Sequence, residues 1–393
     1  MQCQNQVKQL TLALHTYHDA QGSFPAARIN WNTSNPAGTM NTWPNSTRFS
    51  AFVPLTPFFE QTPVFEAFTY AIKVRNAGNW TTTIMNHANY SGGVTADAAV
   101  DHELESIPWG CGWCVGTAFI EKGILSCPSD KNAGQRQADS NTVNTYRFCY
   151  GDSSDRNAAG FRDETESSPS SGITICTGGV VNGSAGLKND RGFFTARVDN
   201  DGDCARNTSS ISDGTSNTIV FSETCISSRP GITNAGRLIK GSNAQDSDVA
   251  AFDSGGSHSD AGYPANVGQR THNVRTCWGF QEGDKYNAST SGNINATLGN
   301  RWADNCPVFT GFMTIFPPNS LSCAWSSIDS IVSASSYHTG GVVVGFGDGA
   351  VQFVNEMINA GDPLTANVVV GGESEFGVWG ALGSINGGEA KMP

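Results

Sequence analysis

The stretch MQCQNQVKQLTLALHTYH, residues 1–18, decides how we expect the chain to fold. Its apolar residues recur at alternating spacings of four and three, which places them on one stripe of an α-helix; they are Cys3, Val7, Leu10, Leu14 and Tyr17. Gly22 is suited to end this helix, and Phe24-Pro25 opposes its continuation. The stripe fits two structures: an ordinary amphipathic helix packed on one domain, or the lower half of a longer helix whose upper half is missing here.

The composition indicates short strands joined by long polar loops. Of 393 residues, 45 are glycine, 15% are charged and 38% are hydrophobic, which suffices for a sizeable core. The net charge of −12 repels phosphate, so we exclude nucleic acid as a partner. No apolar run reaches the roughly 18 to 20 residues of a membrane-spanning helix, and no signal peptide is visible. We therefore expect a processed or truncated form of an exported protein.

The cysteines predict disulfides formed in an oxidising compartment. Ten of the 11 are candidates for pairing: Cys111, Cys114, Cys127, Cys149, Cys176, Cys204, Cys225, Cys277, Cys306 and Cys323. Cys3 stands alone on the helix stripe, and we expect it to be the unpaired one, a small buried apolar residue. Cys111 and Cys114 form a single C-x-x-C without the second pair that a zinc site needs, so a tight turn closed by a disulfide is favoured.

One acidic loop has the pattern of a cation site. Asp199, Asp201 and Asp203 alternate in the sequence DNDGD, and Gly202 allows a sharp bend. Ca²⁺ prefers several carboxylate oxygens from a tightly curved loop. The twelfth position holds Ser210 in place of the glutamate of an EF-hand. The loop either binds calcium, the one cofactor the sequence suggests, or is a solvated acidic turn.

The last third of the chain carries a hairpin signal. GVVVGF at 341–346 and AVQFV at 350–354 flank GDG at 347–349. Asp-Gly between two β-rich runs predicts a tight turn with positive φ at both central residues. His338 precedes the first strand, and we expect it to fix the entry to the hairpin by hydrogen bonding. Nucleophile-elbow, H-E-x-x-H, P-loop and dinucleotide-binding motifs are absent, so we assign no catalytic residue and do not expect an enzyme.

Blocks spread over the whole chain resemble one family. They are the helix segment from Cys3 with GSFP at 22–25, Pro54-Leu55 with Phe59-Glu60-Gln61, CPSD at 127–130, DGTSNT at 213–218 with Glu223, His338 nine residues before Asp348-Gly349, and WGAL at 379–382 with GGE at 387–389. Together they resemble the bacterial prepilin-like proteins, of type IV pilin and pseudopilin type, that carry a C-terminal H-x9-D-G motif and abound in planctomycetes. The resemblance implies a set of structural-motif residues: His338, Asp348, Gly349, Asp213, Gly214, Asn217 and Glu223.

The resemblance implies an α+β fold in which a pilin-like N-terminal helix packs on an antiparallel β-sheet with long loop insertions. Residues 1–25 would be the membrane-distal half of the helix. Residues 26–393 would be an elaborated β-rich head, with a loop-rich insertion at about 234–305 and the hairpin at about 341–354.

The expected function is that of a non-enzymatic extracellular subunit of a surface filament or secretion-associated pseudopilus, made from a precursor anchored in the inner membrane. Its partners would be copies of itself, other pilin-like subunits or secretion machinery, and it would meet the membrane only through the missing N-terminal helix. The alternative is a membrane-tethered surface module that binds carbohydrate or another extracellular ligand.

Overall fold

A computed structural model gives the structure of the protein. It describes residues 1–29, 49–66, 123–133, 143–153, 191–194, 198–199, 202–203, 206–227, 243–245, 274–286, 293–295, 298–299, 301–303, 305, 307–324, 330–364 and 372–388.

The N-terminal helix α1 spans Gln2–Gln21 and follows the predicted stripe. Its buried side chains are Cys3, Val7, Leu10, Thr11, Ala13 and Leu14. Gly22 adopts a left-handed φ of 78°, and its N–H donates to the His18 carbonyl at 2.7 Å, so the predicted glycine stop is confirmed. Within the described part of the chain, no helix combines the length and the apolar character needed to cross a membrane.

A five-stranded sheet lies at the centre of the described structure. Its strands, in spatial order, are β11 (Gly311–Phe312), β3 (Tyr146–Cys149), β6 (Ile219–Glu223), β14 (Gly341–Phe346) and β15 (Val351–Asn355). All neighbours pair antiparallel except β11 and β3, which are parallel. The prediction of a wholly antiparallel sheet is therefore wrong at this edge. A parallel pair needs a long connection back to the same end of the sheet, and the chain between these two strands is long enough to make one.

The remaining described elements are short. The strands are β1 (Arg28–Ile29) with β2 (Phe49–Ser50), β4 (Val198–Asp199) with β5 (Gly202–Asp203), β8 (Gln281–Glu282) with β9 (Lys285–Tyr286), and a four-stranded sheet of β10 (Asn293–Asn295), β7 (Asn243–Gln245), β12 (Cys323–Ala324) and β13 (Ser330–Ile331). The helices are α2 (Phe52–Leu55), α3 (Val274–Trp278), α4 (Pro307–Thr310) and α5 (Gly377–Gly383). The α+β class is confirmed.

Helix α1 lies directly on the central sheet, against β6, β14 and β15. A glycine makes this close approach possible. A Cβ atom at Gly345 of β14 would lie 2.7 Å from Thr11 Cγ2 and 2.9 Å from Val7 Cγ1. Because carbon atoms normally pack at about 3.5 to 4.0 Å, any side chain at Gly345 would push the helix away. Helix and sheet therefore share one hydrophobic core.

The aromatic segment after residue 48 forms short helical turns. Helix α2 is followed by a 3₁₀ turn at Thr56–Phe59. Phe58 meets Tyr17 of α1 edge-on with ring centroids 5.4 Å apart, and Phe52 packs on Phe148 of the sheet at 4.2 Å. These ring contacts pack the aromatic segment against both α1 and the central sheet.

The predicted hairpin is present, but its turn differs from the expectation. The Gly349 N–H donates to the Phe346 carbonyl at 2.9 Å, and Phe346 N–H donates to the Ala350 carbonyl at 2.8 Å. Gly349 has a φ of 87°, whereas Asp348 is not among the residues with positive φ. These bonds define a three-residue hairpin loop that ends in a left-handed glycine. The prediction of positive φ at both Asp348 and Gly349 is therefore wrong.

An ion pair is buried near the C-terminal part of the described chain. Arg191 Nε donates to Asp152 Oδ1 at 2.6 Å, and both side chains are fully buried. Arg191 also donates from Nη1 to the Gly372 carbonyl at 2.8 Å, and its own carbonyl accepts from Ile385 N–H at 2.8 Å. The pair therefore joins three segments that are distant in sequence, and its charges stay balanced without solvent.

Candidate functional site

The end of β6 and the entry to β14 bring His338 against Glu223. His338 Nε2 lies 3.2 Å from Glu223 Oε1. The other carboxylate oxygen, Oε2, accepts the backbone N–H of Val343 at 2.9 Å. Glu223 is fully buried, while the His338 side chain is 26% exposed. The backbone contact holds the carboxylate so that Oε1 points at the imidazole, which gives His338 the hydrogen-bonding role expected of it.

A disulfide adjoins this pair. Cys3, in the first turn of α1, is bonded to Cys127, and Cys127 Sγ lies 3.6 Å from His338 Nε2. The two sulfurs, the imidazole nitrogen and a carboxylate oxygen of Glu223 all lie within 4.8 Å of one another. Three of the four residues are buried, and His338 is only partly covered. We call Cys3, Cys127, Glu223 and His338 the four-residue cluster.

Acidic and phenolic groups border the four-residue cluster. The Asp130 carboxylate accepts the N–H of Ile226 at 2.7 Å and that of Asn132 at 2.8 Å. Burial nonetheless raises the pKa of Asp130, and the negative charge of Glu223 adds to the increase. Burial likewise raises the pKa of Tyr146 above its usual range, and the negative charge of Glu223 adds to that increase. The surroundings therefore disfavour further negative charge beside Glu223.

A second group of predicted motif residues joins two segments at the far end of the sheet. The Asp213 carboxylate accepts the backbone N–H of Gly387 at 2.6 Å and that of Gly388 at 2.9 Å. Asn217 Nδ2 donates to the Asp213 carbonyl at 2.9 Å, and Gly214 has a φ of 88°. This tight loop thereby holds the C-terminal tail.

The hairpin tip contacts both this loop and α1. Asp348 N–H donates to the Thr215 carbonyl at 3.1 Å, and Asp348 Oδ1 accepts the Ala350 N–H at 2.8 Å. Lys8 of α1 donates from Nζ to the Gly349 carbonyl at 2.6 Å. His338 and Asp348 flank the two ends of β14, so the motif's histidine and aspartate bind different partners and do not form a catalytic pair.

The cysteine predictions need correction. Cys3 was expected to be unpaired but is bonded to Cys127, because its position in the first turn of α1 faces the loop that carries Cys127. Cys277 and Cys323, both candidates for disulfide formation, are bonded to each other. Cys149 and Cys225, also candidates, remain buried thiols.

Cys149 and Cys225 do not form a disulfide with each other because of the register between β3 and β6. Tyr146 lies opposite Glu223 and Phe148 opposite Phe221. Continued in both directions, this register leaves the two cysteines about five residues apart, or roughly 17 Å. A disulfide needs Cα atoms within about 7 Å.

Several predicted sites fall outside the described residues: Cys111, Cys114, Cys176, Cys204, Cys306, Asp201, and most of the insertion at 234–305. The backbones of Asp199 and Asp203 belong to the paired strands β4 and β5, but their side chains are outside the described part. The calcium hypothesis therefore stays a prediction.

Sequence reasoning did not assemble the four-residue cluster. Its members are separated by up to hundreds of residues: 124 between Cys3 and Cys127, and 115 between Glu223 and His338. No local spacing marks such a set. The available signal was the occurrence of Cys3, Cys127, Glu223 and His338 in four of the blocks that carried the resemblance.

The fold and this cluster define an α+β protein whose N-terminal helix packs on a central sheet, is bonded to a neighbouring loop by the Cys3–Cys127 disulfide and contacts the hairpin tip through Lys8. The chain belongs to the family described as "Protein of unknown function (DUF1559)", which matches residues 1–361. No curated protein matches the chain. No solved structure matches it either.

Proposed function

We propose that this chain is a non-enzymatic, pilin-like structural subunit that assembles with copies of itself into a surface filament or a secretion-associated pseudopilus. The observation that carries the proposal is the division of α1 into two faces. One face is buried on β14. The opposite face is exposed, with Gln2, Asn5, Gln9, Leu12 and Thr16. A helix that packs on its own head along one face keeps the other available for helices of neighbouring copies.

The bonding of the motif residues supports a structural role over a catalytic one. The carboxylates of Glu223, Asp213 and Asp348 each accept backbone N–H groups. A carboxylate held by backbone donors fixes loops and strand ends, whereas a general acid or base needs to reach a substrate proton. Lys8 and the Cys3–Cys127 disulfide add two further ties between α1 and the head.

The proposal requires an apolar segment of about 20 residues N-terminal to Met1, which would anchor the precursor in the inner membrane and later bundle in the filament core. The encoded sequence upstream of Met1 tests this requirement directly. A polar or short upstream sequence would contradict it.

The assembly test uses two exposed leucines. Leu12 on α1 is 62% exposed, and Leu364, which does not belong to α1, is 52% exposed. With the complete gene expressed in its native host, we expect filaments by electron microscopy from the wild type and from Leu364→Glu. Leu12→Glu should abolish them, because it places a charge on the face that meets other copies.

The melting temperature of each purified variant serves as the folding control and should match that of the wild type. Dispersed wild-type particles, or filaments from Leu12→Glu at wild-type abundance, would overturn the proposal. Dispersed particles that also bind carbohydrate would favour a membrane-tethered binding module.

A further inference from the structure

The four-residue cluster contains the donor set of a zinc site. Two sulfurs, one imidazole nitrogen and one carboxylate oxygen lie within 4.8 Å of one another. Zn²⁺ in structural sites takes four such ligands in tetrahedral geometry, with Zn–S bonds of about 2.3 Å and Zn–N bonds of about 2.0 to 2.1 Å. The sulfurs are joined to each other in the oxidised chain, so the site requires the reduced form.

We propose that the reduced chain binds one Zn²⁺ through Cys3 Sγ, Cys127 Sγ, His338 Nε2 and Glu223 Oε1, and that disulfide formation and zinc binding exclude each other at this position. A dithiol reductant supplies two electrons and two protons: the Cys3–Cys127 bond breaks, two thiols form, and the reductant becomes a disulfide. Each thiol then releases its proton to solvent as the thiolate binds Zn²⁺. A disulfide oxidant reverses the sequence, takes up the two electrons and frees the metal.

The geometry around the cluster suits this ion. Once the covalent bond is broken, the two sulfurs must separate to about 3.8 Å to occupy two corners of a tetrahedron at the usual Zn–S distance. The Val343 N–H, bound to Glu223 Oε2, leaves Oε1 facing the other donors and fixes its direction. His338 Nε2 already faces both Glu223 Oε1 at 3.2 Å and Cys127 Sγ at 3.6 Å. Only side-chain adjustments at the sulfurs are required.

The charge balance also favours a divalent cation. Two thiolates and one carboxylate carry three negative charges, and a neutral histidine adds none. Without a metal, these charges would be buried beside Asp130, whose own pKa is already raised by burial and by Glu223. Zn²⁺ reduces the total to −1. Because all four ligand positions come from the protein and three of the residues are buried, the site is closed, as in structural zinc sites.

This inference concerns the redox state of one cluster and does not depend on whether the chain forms filaments. Its consequence is that α1 can be tied to the head in two ways. The disulfide ties it in an oxidising compartment, and the metal ties it where thiols stay reduced.

The test titrates Co²⁺, a spectroscopic substitute for zinc, into the full chain reduced with a phosphine under anaerobic conditions. Tetrahedral thiolate-bound cobalt gives visible and charge-transfer absorption that Zn²⁺ then abolishes. The variants are Cys3→Ser/Cys127→Ser and His338→Gln, with Cys277→Ser/Cys323→Ser as the matched control that loses the other described disulfide. We expect the control to bind as many cobalt ions as the wild type, and the other two variants to bind one fewer.

Equal cobalt stoichiometry in His338→Gln, in Cys3→Ser/Cys127→Ser and in the control would overturn the proposal. His338→Gln keeps both cluster cysteines, so its fold is checked by circular dichroism in the oxidised state before reduction. The result therefore stays decisive even if the double serine variant fails to fold. We also expect the oxidised wild type to lack the one cobalt ion that the four-residue cluster binds after reduction.

Discussion

The contact between α1 and β14 is tested most directly by replacing Gly345 with alanine. The added Cβ would lie 2.7 Å from Thr11 Cγ2 and 2.9 Å from Val7 Cγ1, while the next contact, to Phe221 Cβ at 3.8 Å, is ordinary. The first two contacts must each lengthen by about 1 Å to reach normal packing distances. Overpacking of a well-packed core costs about 1 to 3 kcal/mol. Alanine recovers roughly 0.5 to 1 kcal/mol because it has less backbone freedom to lose on folding than glycine. Subtracting the middle of the second range from the middle of the first gives an expected net destabilisation of roughly 1 kcal/mol.

The assay is urea unfolding of the oxidised chain followed by far-UV circular dichroism, performed as a double-mutant cycle. Thr11→Ser removes the Cγ2 atom that makes the shortest contact. Gly345→Ala should therefore destabilise the Thr11→Ser background less than the wild type, by at least about 0.5 kcal/mol.

Gly340→Ala is the control, because a Cβ there would meet nothing within 4 Å although its φ of 81° disfavours a side chain. It should cost stability through backbone strain alone and show no coupling to Thr11→Ser. A Gly345→Ala chain as stable as the wild type, or equal costs in both backgrounds, would refute the close approach of helix and sheet.

Three further outcomes are expected. The double variant Cys3→Ala/Cys127→Ala removes a cross-link between residues 124 apart, so its free energy of unfolding in urea should fall by close to 5 kcal/mol in the loop-entropy treatment; a loss below about 1 kcal/mol would contradict this. Asp152→Asn leaves the buried Arg191 charge without its counter-charge and should cost about 3 to 5 kcal/mol in the same assay; a stability within about 1 kcal/mol of wild type would show that the pair is not buried. Burial raises the pKa of the Cys149 thiol to about 12, so mass spectrometry should find Cys149 unalkylated by iodoacetamide in the native chain at mildly alkaline pH and fully alkylated after denaturation; rapid native labelling would refute its burial.

Some features followed from the sequence because their cause is local. The stripe from Cys3 to Tyr17 repeats with the period of a helix, and Gly22 ends that helix because a left-handed residue needs no Cβ. The two β-rich runs around Asp348 pair because only a short turn separates them. Even there, the type of turn was mistaken: Gly349 has the expected positive φ but Asp348 does not, because the turn closes over three residues instead of two.

Other features depended on long-range packing. The partner of Cys3 was set by the way α1 lies over the sheet, and no spacing in the sequence identifies a cysteine 124 residues away. The parallel edge at β11 and the burial of Asp152 beside Arg191 depend in the same way on segments that meet only after folding.

The sequence by itself therefore determined that residues 1–18 form an amphipathic helix and that a hairpin follows His338, because periodicity and turn chemistry act over a few residues; the α+β class was implied by the resemblance of its sequence blocks to the prepilin-like family. Only the tertiary structure decided that Cys3, Cys127, Glu223 and His338 converge at one point, because their proximity is created by the docking of α1 on β14 and by the pairing of β14 with β6.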